Sequence, residues 1–331
     1  MHRLLSALLA VLALGTAGCV KKETGTTPGK PVVAVIPKGT THEFWKSIHA
    51  GALKAGDELG VEVIWKGPLK EDDREAQISV VEDFISRKVA GIVLAPLDDA
   101  ALRAPVSSAM HAGIPVVIID SDLQGNEFVS FVATDNFLGG QLAGKKMIES
   151  LGGKGKVLLL RYQEGSASTA KREAGFLNAI AAAPGITVVS ASQYGGATTE
   201  TAYKASENLL APFRQAGGKL SVDGIFTPNE STTFGMLRAL QDAGLAGSVA
   251  FLGFDSSPKL IEALDKGELN GLVLQNPFRM GYLGVKTLAD HLKGGKVEPK
   301  IDTGVTLATR ENMNQPEIRE LLSPDLSRWL K

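Results

Sequence analysis

Polar side chains recur directly after the short apolar runs of this chain, where parallel strands would end. They are Asp120 and Ser121, Asn229, Asp255 and Gln275, together with Arg172 near the start of a predicted helix. Carboxylate and amide oxygens accept hydrogen bonds from hydroxyl groups, whereas a guanidinium only donates them. The carboxyl ends of parallel strands are also where open α/β sheets bind ligands. The set therefore predicts a site for a small, hydroxyl-rich molecule.

An aromatic pair lies close to the start of the first predicted helix. Phe44 and Trp45 follow the apolar run 32–36 and a polar stretch that ends in His42. An aromatic face is apolar with a negative π surface, which suits it to the C–H face of a sugar ring. Alternatively, both rings pack into the core where the helix docks. The pattern alone leaves both interpretations of Trp45 open.

Each polar residue also has a purely structural interpretation. Aspartate or asparagine after a strand often caps the next helix. Taken alone, Asp120, Asn229 or Asp255 could each be such a cap. Arg172 could be a solvated charge on a helix. The set is more specific than any member, because all of its residues lie at the same end of their predicted sheets.

Patterns of catalytic or metal-binding residues are absent from the sequence. The five histidines, at 2, 42, 49, 111 and 291, lack the spacing of a metal site. The glycine-rich segment 152–156 lacks phosphate-loop spacing and precedes a strand, and no Gly-x-Ser-x-Gly elbow occurs. We therefore expect a binding protein, not an enzyme, with no metal and no cofactor.

The elements that would position these residues alternate between strands and helices. From residue 31 onward, continuous β-branched runs, typical of strands covered on both faces, alternate with amphipathic helical patterns. The alternation restarts near Thr134, Asp135 and Asn136. We therefore predict an α/β fold of two doubly wound parallel-sheet lobes. In the second of these lobes, one helix is predicted over 199–216.

The composition indicates a globular protein. The 331 residues are 44% hydrophobic and 21% charged, with a formal net charge of −1. A chain of this length is expected to form about two domains. Nucleic acids and anionic membranes bind basic surfaces, so we expect no nucleic-acid partner. We expect a monomer.

The N-terminal residues 1–18 have the pattern of an export signal. A basic start precedes the apolar stretch 4–14, which is too short to span a bilayer. The end, 16–19, resembles the lipobox of bacterial lipoproteins, although Thr16 stands where leucine is usual. We expect Cys19, the only cysteine, to carry a lipid that anchors the protein outside the cytoplasm, periplasmic or at the cell surface. Residues 19–30 would form a flexible tether. The alternative is an ordinary cleavable signal with an incidental cysteine.

The motifs resemble those of the ribose-binding group of bacterial periplasmic solute-binding proteins, the receptors of sugar importers driven by ATP hydrolysis. The resemblance covers about 32–307. Its most specific parts are the aromatic pair 44–45, the segments 113–120, 133–140, 170–176, 237–244 and 253–255, and the positions Asn229 and Gln275. It implies a type I periplasmic binding protein fold, whose two lobes are joined by three hinge strands and close around a sugar.

The resemblance also implies how the chain divides. The N-terminal lobe would contain 31–133 plus 276–303, and the C-terminal lobe 134–275 plus 304–331. The hinge would include Thr134, Asp135, Gln275 and Asn276. The implied partners are a monosaccharide or related polyol and the membrane permease of an ABC importer.

Individual residues match the family's binding positions. Phe44 and Trp45 match its stacking aromatics, and Asp120 matches a carboxylate that accepts from sugar hydroxyls. The polar set of the second lobe is matched by Arg172, Asn229, Asp255 and Gln275.

Four positions depart from the ribose binders. Ala95 and His42 lie at positions where ribose binders have asparagine, and Ser121 lies where they have arginine. An aromatic residue of their second lobe is replaced near Ala197. We therefore expect a larger or differently substituted polyol in place of ribose.

Two other functions remain open at this level. The first is a sugar-sensing receptor with the same fold, which would pass its bound state to a sensor kinase or chemoreceptor. The second is an enzyme that acts on a carbohydrate. Sugar-responsive repressors share the lobes but carry a helix-turn-helix headpiece before the first strand. Here that place holds the predicted signal and tether, so a repressor is not expected.

Overall fold

The computed structural model describes residues 29–330, so the predicted export signal, the lipobox with Cys19 and most of the tether lie outside the described residues. The strands are β1 Val32–Ile36, β2 Glu62–Trp65, β3 Gly91–Leu94, β4 Val116–Ile119, β5 Ser130–Ala133, β6 Gly155–Leu159, β7 Ile186–Ser190, β8 Arg214–Gln215, β9 Lys219–Leu220, β10 Gly224–Phe226, β11 Ala250–Phe254, β12 Gly271–Gln275, β13 Lys300–Asp302 and β14 Val305–Ala308. The helices are α1 Glu43–Leu59, α2 Arg74–Ser86, α3 Arg103–His111, α4 Asn136–Ser150, α5 Ala167–Ala181, α6 Thr199–Leu210, α7 Glu230–Asp242, α8 Pro258–Lys266, α9 Pro277–Leu292 and α10 Pro316–Leu322.

Two six-stranded sheets of matching topology form the centres of two lobes. The N-terminal sheet has the order β13-β5-β4-β3-β1-β2 and is parallel throughout. The C-terminal sheet has the order β14-β12-β11-β10-β6-β7, and only its edge strand β14 is antiparallel. The predicted architecture of two doubly wound α/β lobes is therefore confirmed.

The strands owe their burial to uninterrupted apolar sequence. In β1, the four residues from Val33 to Ile36 are fully buried, because helices cover both faces of the sheet. Each lobe consequently has an apolar core on either side of its sheet. At the carboxyl ends of β1 and β3, the buried amide of Gln77 donates to the carbonyls of Pro37 and Ala95, at 2.9 and 2.8 Å. This bridge fixes the loops that leave the sheet toward the other lobe.

The chain crosses between the lobes three times. The crossings lie between β5 and α4, between β12 and α9, and between β13 and β14. After crossing, α4 packs on α5 of the C-terminal lobe and α9 packs on α1 of the N-terminal lobe. Two crossings are tied together, because the Thr134 hydroxyl donates to the Gly304 carbonyl at 3.1 Å and the Thr303 amide donates to the Ala133 carbonyl at 3.1 Å.

Glycines allow both crossing helices to pack closely. A Cβ atom on Gly140 of α4 would lie 1.9 Å from the carbonyl oxygen of Arg172 on α5. A Cβ atom on Gly51 of α1 would lie 1.9 Å from the carbonyl oxygen of Phe278 on α9. No side chain fits at such a distance, so the backbones of each helix pair are in direct contact.

The helix predicted over 199–216 is wrong in its second part. α6 ends at Leu210, and a 3-10 turn, Ala211–Phe213, follows it. Pro212 lies in this turn, where it removes a backbone donor and stops the helix. The chain then forms the small hairpin β8–β9, which turns at Gly217 and Gly218, both with positive φ.

We predict that Gly140→Ala destabilises the protein by about 1–3 kcal/mol, the usual cost of overpacking a close contact. The new methyl group must displace the backbone of Arg172. Chemical denaturation followed by circular dichroism measures the change in unfolding free energy.

The matched control is Gly29→Ala, since a Cβ atom there meets no neighbour within 4 Å. Its unfolding free energy should stay within about 0.5 kcal/mol of the wild type. Equal stabilities of the two variants would contradict the packing argument.

Candidate ligand-binding site between the lobes

A polar cavity lies between the carboxyl ends of the two sheets. Its volume of about 30 Å³ is well below the roughly 300–1,000 Å³ of small-molecule sites, so the two lobes are packed tightly around it. The N-terminal lobe contributes Lys38, His42, Phe44, Trp45, Glu71 and Asp120, and the C-terminal lobe contributes Tyr162, Ser168, Thr169, Arg172, Asn229, Glu230, Asp255 and Gln275. A larger, open groove of about 400 Å³ lies beside it and shares Phe44, Asp255 and Gln275 with it.

The structure brings nearly all the predicted site residues to this cavity. The residues that line it are His42, Phe44, Trp45, Asp120, Arg172, Asn229, Asp255 and Gln275. The exception is Ser121, which is fully buried outside the cavity and accepts a hydrogen bond from the Ser168 amide at 3.0 Å. Of the predicted hinge residues, Gln275 is at the end of β12, and Asp135 and Asn276 cap α4 and α9.

Asp120 is paired with Lys38, a residue that was not predicted from the sequence to belong to the site. Lys38 Nζ lies 2.9 Å from Asp120 Oδ2, and both side chains are almost completely buried. Asp120 follows β4 with a positive φ of 62°, a conformation that costs energy in a residue other than glycine. This turn directs the carboxylate to the cavity, and Asp120 does not cap a helix.

Asp255 occupies the equivalent place in the second lobe. It follows β11 with a φ of 68° and accepts from Gln275 Nε2 at 2.7 Å. Its other oxygen accepts from the backbone amide of Glu230 at 3.2 Å. Burial raises the pKa of Asp255, although the nearby Arg172 opposes the shift.

Arg172 is the largest fully buried side chain of the C-terminal lobe. Its guanidinium stacks on the Phe254 ring, 4.0 Å from the ring centre. It donates to the Asn136 side chain at 2.8 Å and to the Pro228 carbonyl at 2.9 Å. Burial lowers its pKa, and the Asp255 carboxylate, 3.8 Å away, counteracts that effect.

Two buried polar atoms at this site have no partner. Among the described residues, Arg172 Nη2 and Gln275 Oε1 are the buried side-chain nitrogen and oxygen atoms that make no hydrogen bond. A buried polar atom without a partner costs about 1–3 kcal/mol. One atom is a donor and the other an acceptor, so a hydroxyl group, which both donates and accepts, could satisfy each of them.

The aromatic pair both packs in the core and lines the cavity. Phe44 and Trp45 meet edge to face with ring centres 4.9 Å apart, and both belong to the core that contains Ile48. The indole Nε1 of Trp45 donates to Glu71 at 2.7 Å, which fixes the ring. The two interpretations of Trp45 are therefore compatible.

His42 and Glu71 form a second buried ion pair in the N-terminal lobe. Burial by itself would lower the pKa of His42, but the adjacent Glu71 carboxylate raises it to about 9. Burial would raise the pKa of Glu71, but His42 and Lys38 lower it to about 2. The imidazole is consequently charged at neutral pH.

Several hydrogen bonds join the two lobes around the cavity. The Tyr162 hydroxyl donates to Glu71 at 2.7 Å, and Lys38 Nζ donates to the Ser168 hydroxyl at 3.1 Å. Glu230 accepts from the backbone amides of Glu43 and Phe44, at 3.3 and 3.1 Å. Burial raises the pKa of Glu230 to about 7. These contacts define a closed arrangement of the lobes.

Asn229 has the capping role that the sequence left open, and it also lines the cavity. Its side chain accepts from the Thr232 amide and forms a capping box at the start of α7. Because its oxygen also accepts from the Thr232 hydroxyl at 2.6 Å, much of its hydrogen-bonding capacity is used within the lobe.

Six residues that line the cavity were not proposed from the sequence. They are Lys38, Glu71, Tyr162, Ser168, Thr169 and Glu230. Lys38 and Tyr162 follow β1 and β6, so a search for polar residues just after those two strands would have found both. Glu71 lies in a loop well beyond β2, so nothing in its local sequence indicates that it turns toward the cavity.

Other kinds of site find little support in the described part of the chain. Within residues 29–330, no group of three or more His, Cys, Asp or Glu side chains is arranged to hold a metal ion. Over the same residues, none of the helices combines the length and apolarity needed to cross a membrane.

Several known proteins that resemble this chain are named for the sugars they bind. The sequence model of the periplasmic binding protein domain family matches residues 33–296 of this chain. The ribose import binding protein RbsB of Escherichia coli K12 is 30% identical over 282 residues, which cover 85% of this chain and 92% of the relative.

Two solved structures are similar over almost their entire length. A carbohydrate transporter solute-binding protein from Agrobacterium radiobacter, in complex with D-arabinose, has a TM-score of 0.84 and 34% identity and covers 90% of this chain and 100% of its own. An ABC transporter solute-binding protein from Agrobacterium vitis, with bound D-fucose, has a TM-score of 0.83 and 36% identity and covers 88% and 100%.

We predict that the His42–Glu71 pair makes stability fall in alkaline solution. The native pKa of His42 is raised from 6.5 to about 9, so the folded state holds this proton more tightly than the unfolded state. The stabilisation is therefore complete below pH 6.5 and is lost as the pH rises through about 9. Urea denaturation between pH 7.5 and 9.5 should show this loss in the wild type and not in His42→Gln.

The control for this prediction is His49→Gln. Burial lowers the pKa of His49, so its contribution changes as the pH falls below 6.5, outside the alkaline window. This variant should keep the alkaline slope of the wild type. Identical slopes for the wild type and His42→Gln would refute the role of the pair.

Proposed function

Since the chain belongs to the family of periplasmic binding proteins, we propose that its two lobes close on one neutral monosaccharide or related polyol in the cavity between them. The chain is a sugar-binding component of an ABC importer, is extracytoplasmic and catalyses no reaction. We further propose which residues hold the sugar, which chemical class the sugar belongs to and how the protein is anchored.

The observation that carries this proposal is the pair of unpartnered polar atoms. Arg172 Nη2 is a buried donor and Gln275 Oε1 is a buried acceptor, and both side chains line the cavity. Two hydroxyl groups of a sugar would satisfy both atoms. Asp120 and Asp255 would then accept from further hydroxyls, as charged acceptors that make the stronger hydrogen bonds.

The charges around the cavity favour a neutral ligand. Lys38 is paired with Asp120, His42 with Glu71, and Arg172 lies beside Asp255. An anionic ligand would have to compete with a buried carboxylate for its cation, and breaking a buried pair is strongly unfavourable. The sugars named for the similar proteins, ribose, D-arabinose and D-fucose, are likewise neutral.

The aromatic pair supplies the apolar surface of the proposed site. Phe44 lines the cavity, and we assign its ring to the C–H face of the sugar. Trp45 is held by Glu71 and supports Phe44 edge to face. Stacking against one rigid ring and several satisfied hydroxyls would together account for an affinity near micromolar, about −8 kcal/mol.

Closure would proceed by bending at the three crossings, which include Thr134, Asp135, Gln275 and Asn276. The lobes contact each other around the cavity, and a sugar that binds both lobes stabilises the closed form by its differential affinity for that form. The permease would then distinguish the closed surface from the open one.

We further propose that Cys19 carries a lipid anchor and that 19–30 is the tether to the first lobe. The support is the sequence of the lipobox and the apolar stretch before it. The polar composition of the tether would let the lobes move freely at the membrane surface.

We predict that Gln275→Met and Arg172→Lys each weaken sugar binding by about 5- to 150-fold, the equivalent of ~1–3 kcal/mol for a hydrogen bond lost in a buried site. Methionine keeps the volume of Gln275 but has no amide, and lysine keeps the charge of Arg172 but has no planar fork. Titration calorimetry against pentoses, hexoses and cyclitols measures the affinities.

Arg214→Lys is the control, since this arginine is exposed in β8, away from the cavity. It should bind every sugar as the wild type does. Thermal unfolding without sugar shows whether each variant is folded, and wild-type affinity in both folded site variants would disprove the assigned site.

For the anchor, we predict that Cys19→Ser moves the protein from the membrane fraction to the soluble fraction, because serine cannot accept the thioether-linked lipid. Fractionation followed by immunoblotting measures the distribution. Thr26→Ala, in the same stretch, should remain membrane-bound. A serine variant that stays with the membrane would contradict the lipid anchor.

A further inference from the structure

The first helix of the N-terminal lobe is capped by the other lobe. α1 begins at Glu43, and within the described chain its N-cap residue His42 makes no side-chain capping bond. The backbone amides of Glu43 and Phe44, in the first turn, instead donate to the two carboxylate oxygens of Glu230 in the C-terminal lobe. First-turn amides have no partner within their own helix, so this carboxylate satisfies two of them.

The corresponding helix of the C-terminal lobe is capped in the reverse direction. α5 follows the first strand of its sheet, β6, as α1 follows β1. In the described structure its N-cap residue Ser166 makes no side-chain capping bond. The amide of Ser168, in its first turn, donates to the Ser121 hydroxyl of the N-terminal lobe at 3.0 Å.

Most other helices are capped locally. Asp73, Asp135, Thr198, Asn229, Ser257 and Asn276 each accept from an amide in the first turn of their own helix. α1 and α5, whose first turns line the cavity, thus obtain caps from across the cleft, and they can do so only while the lobes are closed.

We propose that Glu230 and Ser121 are reciprocal interlobe helix caps that set the balance between the open and closed forms, and so the affinity for every ligand alike. This inference rests on the proposed closure around a sugar. Opening the cleft leaves the first turns of α1 and α5 without these partners. Glu230 contributes more, because it accepts from two first-turn amides and Ser121 accepts from one.

The cap from Glu230 is also connected to the sugar site. The backbone amide of Glu230 donates to Asp255, and Asp255 is held by Gln275. A sugar that orders Asp255 would therefore also fix the start of α7, from which the Glu230 side chain reaches α1. Binding and capping would strengthen each other.

The test compares Glu230→Gln and Ser121→Ala with the wild type. Glu230→Gln replaces one of the two acceptor oxygens by an amide donor, and Ser121→Ala removes the acceptor altogether. Loss of a helix cap costs a factor of roughly 3 to 30 in an equilibrium constant, so we expect each variant to bind sugar weaker by a factor in that range. The factor should be the same for several sugars, because closure is common to all of them. Small-angle scattering without sugar should show a larger radius of gyration in any variant that shifts toward the open form.

The donor side of the cap can be removed independently. Glu43 is the first residue of α1, a position that accepts proline, and His42 already has the extended backbone that proline requires before it. Glu43→Pro removes one of the two amides that Glu230 accepts. The combined variant Glu43→Pro/Glu230→Gln should lose less affinity than the product of the single losses, as expected for residues that share one interaction.

Glu200→Gln is the matched control. Glu200 lies in the first turn of α6 in the same lobe, and its carboxylate accepts from Lys204 of that helix. We expect this variant to match the wild type in affinity and scattering.

Two results would overturn the proposal. Losses that differ between sugars, so that their order of affinity changes, would make Glu230 or Ser121 a direct ligand contact. Unchanged affinity and scattering in folded variants would remove both residues from closure. If the wild type binds no sugar, the proposed function fails, while the scattering comparison of the same variants still decides whether the caps hold the lobes together.

Discussion

The guanidinium of Arg172 is a buried charge, and much of the binding site is arranged around the need to compensate it. Removing a charge from water is costly unless the charge is paired and hydrogen-bonded. The compensation comes from the Phe254 ring, the Asn136 side chain, the Pro228 carbonyl and the neighbouring Asp255. Asn136 also donates to the Asp120 carbonyl at 3.4 Å. Arg172 therefore connects the cavity to the crossing helix α4 and, through Asn136, to the N-terminal lobe.

The two lobes solve the same local problems in the same way. Asp120 and Asp255 follow topologically equivalent strands and share a positive φ that turns their carboxylates toward the cavity. Glycines allow α4 to pack on α5 and α9 on α1, and in both pairs a Cβ atom on the glycine would lie 1.9 Å from a carbonyl oxygen of the facing helix. The strain and the close contacts thus occur in pairs, and the cavity lies between the members of each pair.

Local sequence determines much of this fold, and so much of it could be predicted. Uninterrupted apolar runs identified ten of the twelve strands of the two sheets, and the restart near Thr134 separated the two lobes. The short edge strands β13 and β14 were missed. The end of α6 was misplaced because the periodicity continues past Pro212, where the missing amide stops the helix.

The site was predictable to the extent that its residues directly follow strands. Asp255 and Gln275 are of this kind, since the sheet alone places them. Glu71 is not, because its position depends on how a loop folds against Trp45 and Tyr162. Ser121 follows a strand but points to the other lobe, and only the closed arrangement of the two lobes reveals its partner Ser168.

The order of the crossings also has a consequence for how the chain reaches this structure. The N-terminal lobe takes its helix α9 and its edge strand β13 from the last part of the sequence, after the whole C-terminal sheet except β14. Its core contains Met280, Val285 and Leu288 of α9 beside Val33 and Val35 of β1. Contacts between such distant segments form slowly, because a long loop must close first. The sheet of the C-terminal lobe is contiguous in sequence except for β14, so its assembly needs fewer contacts between distant segments than the lobe that begins the chain.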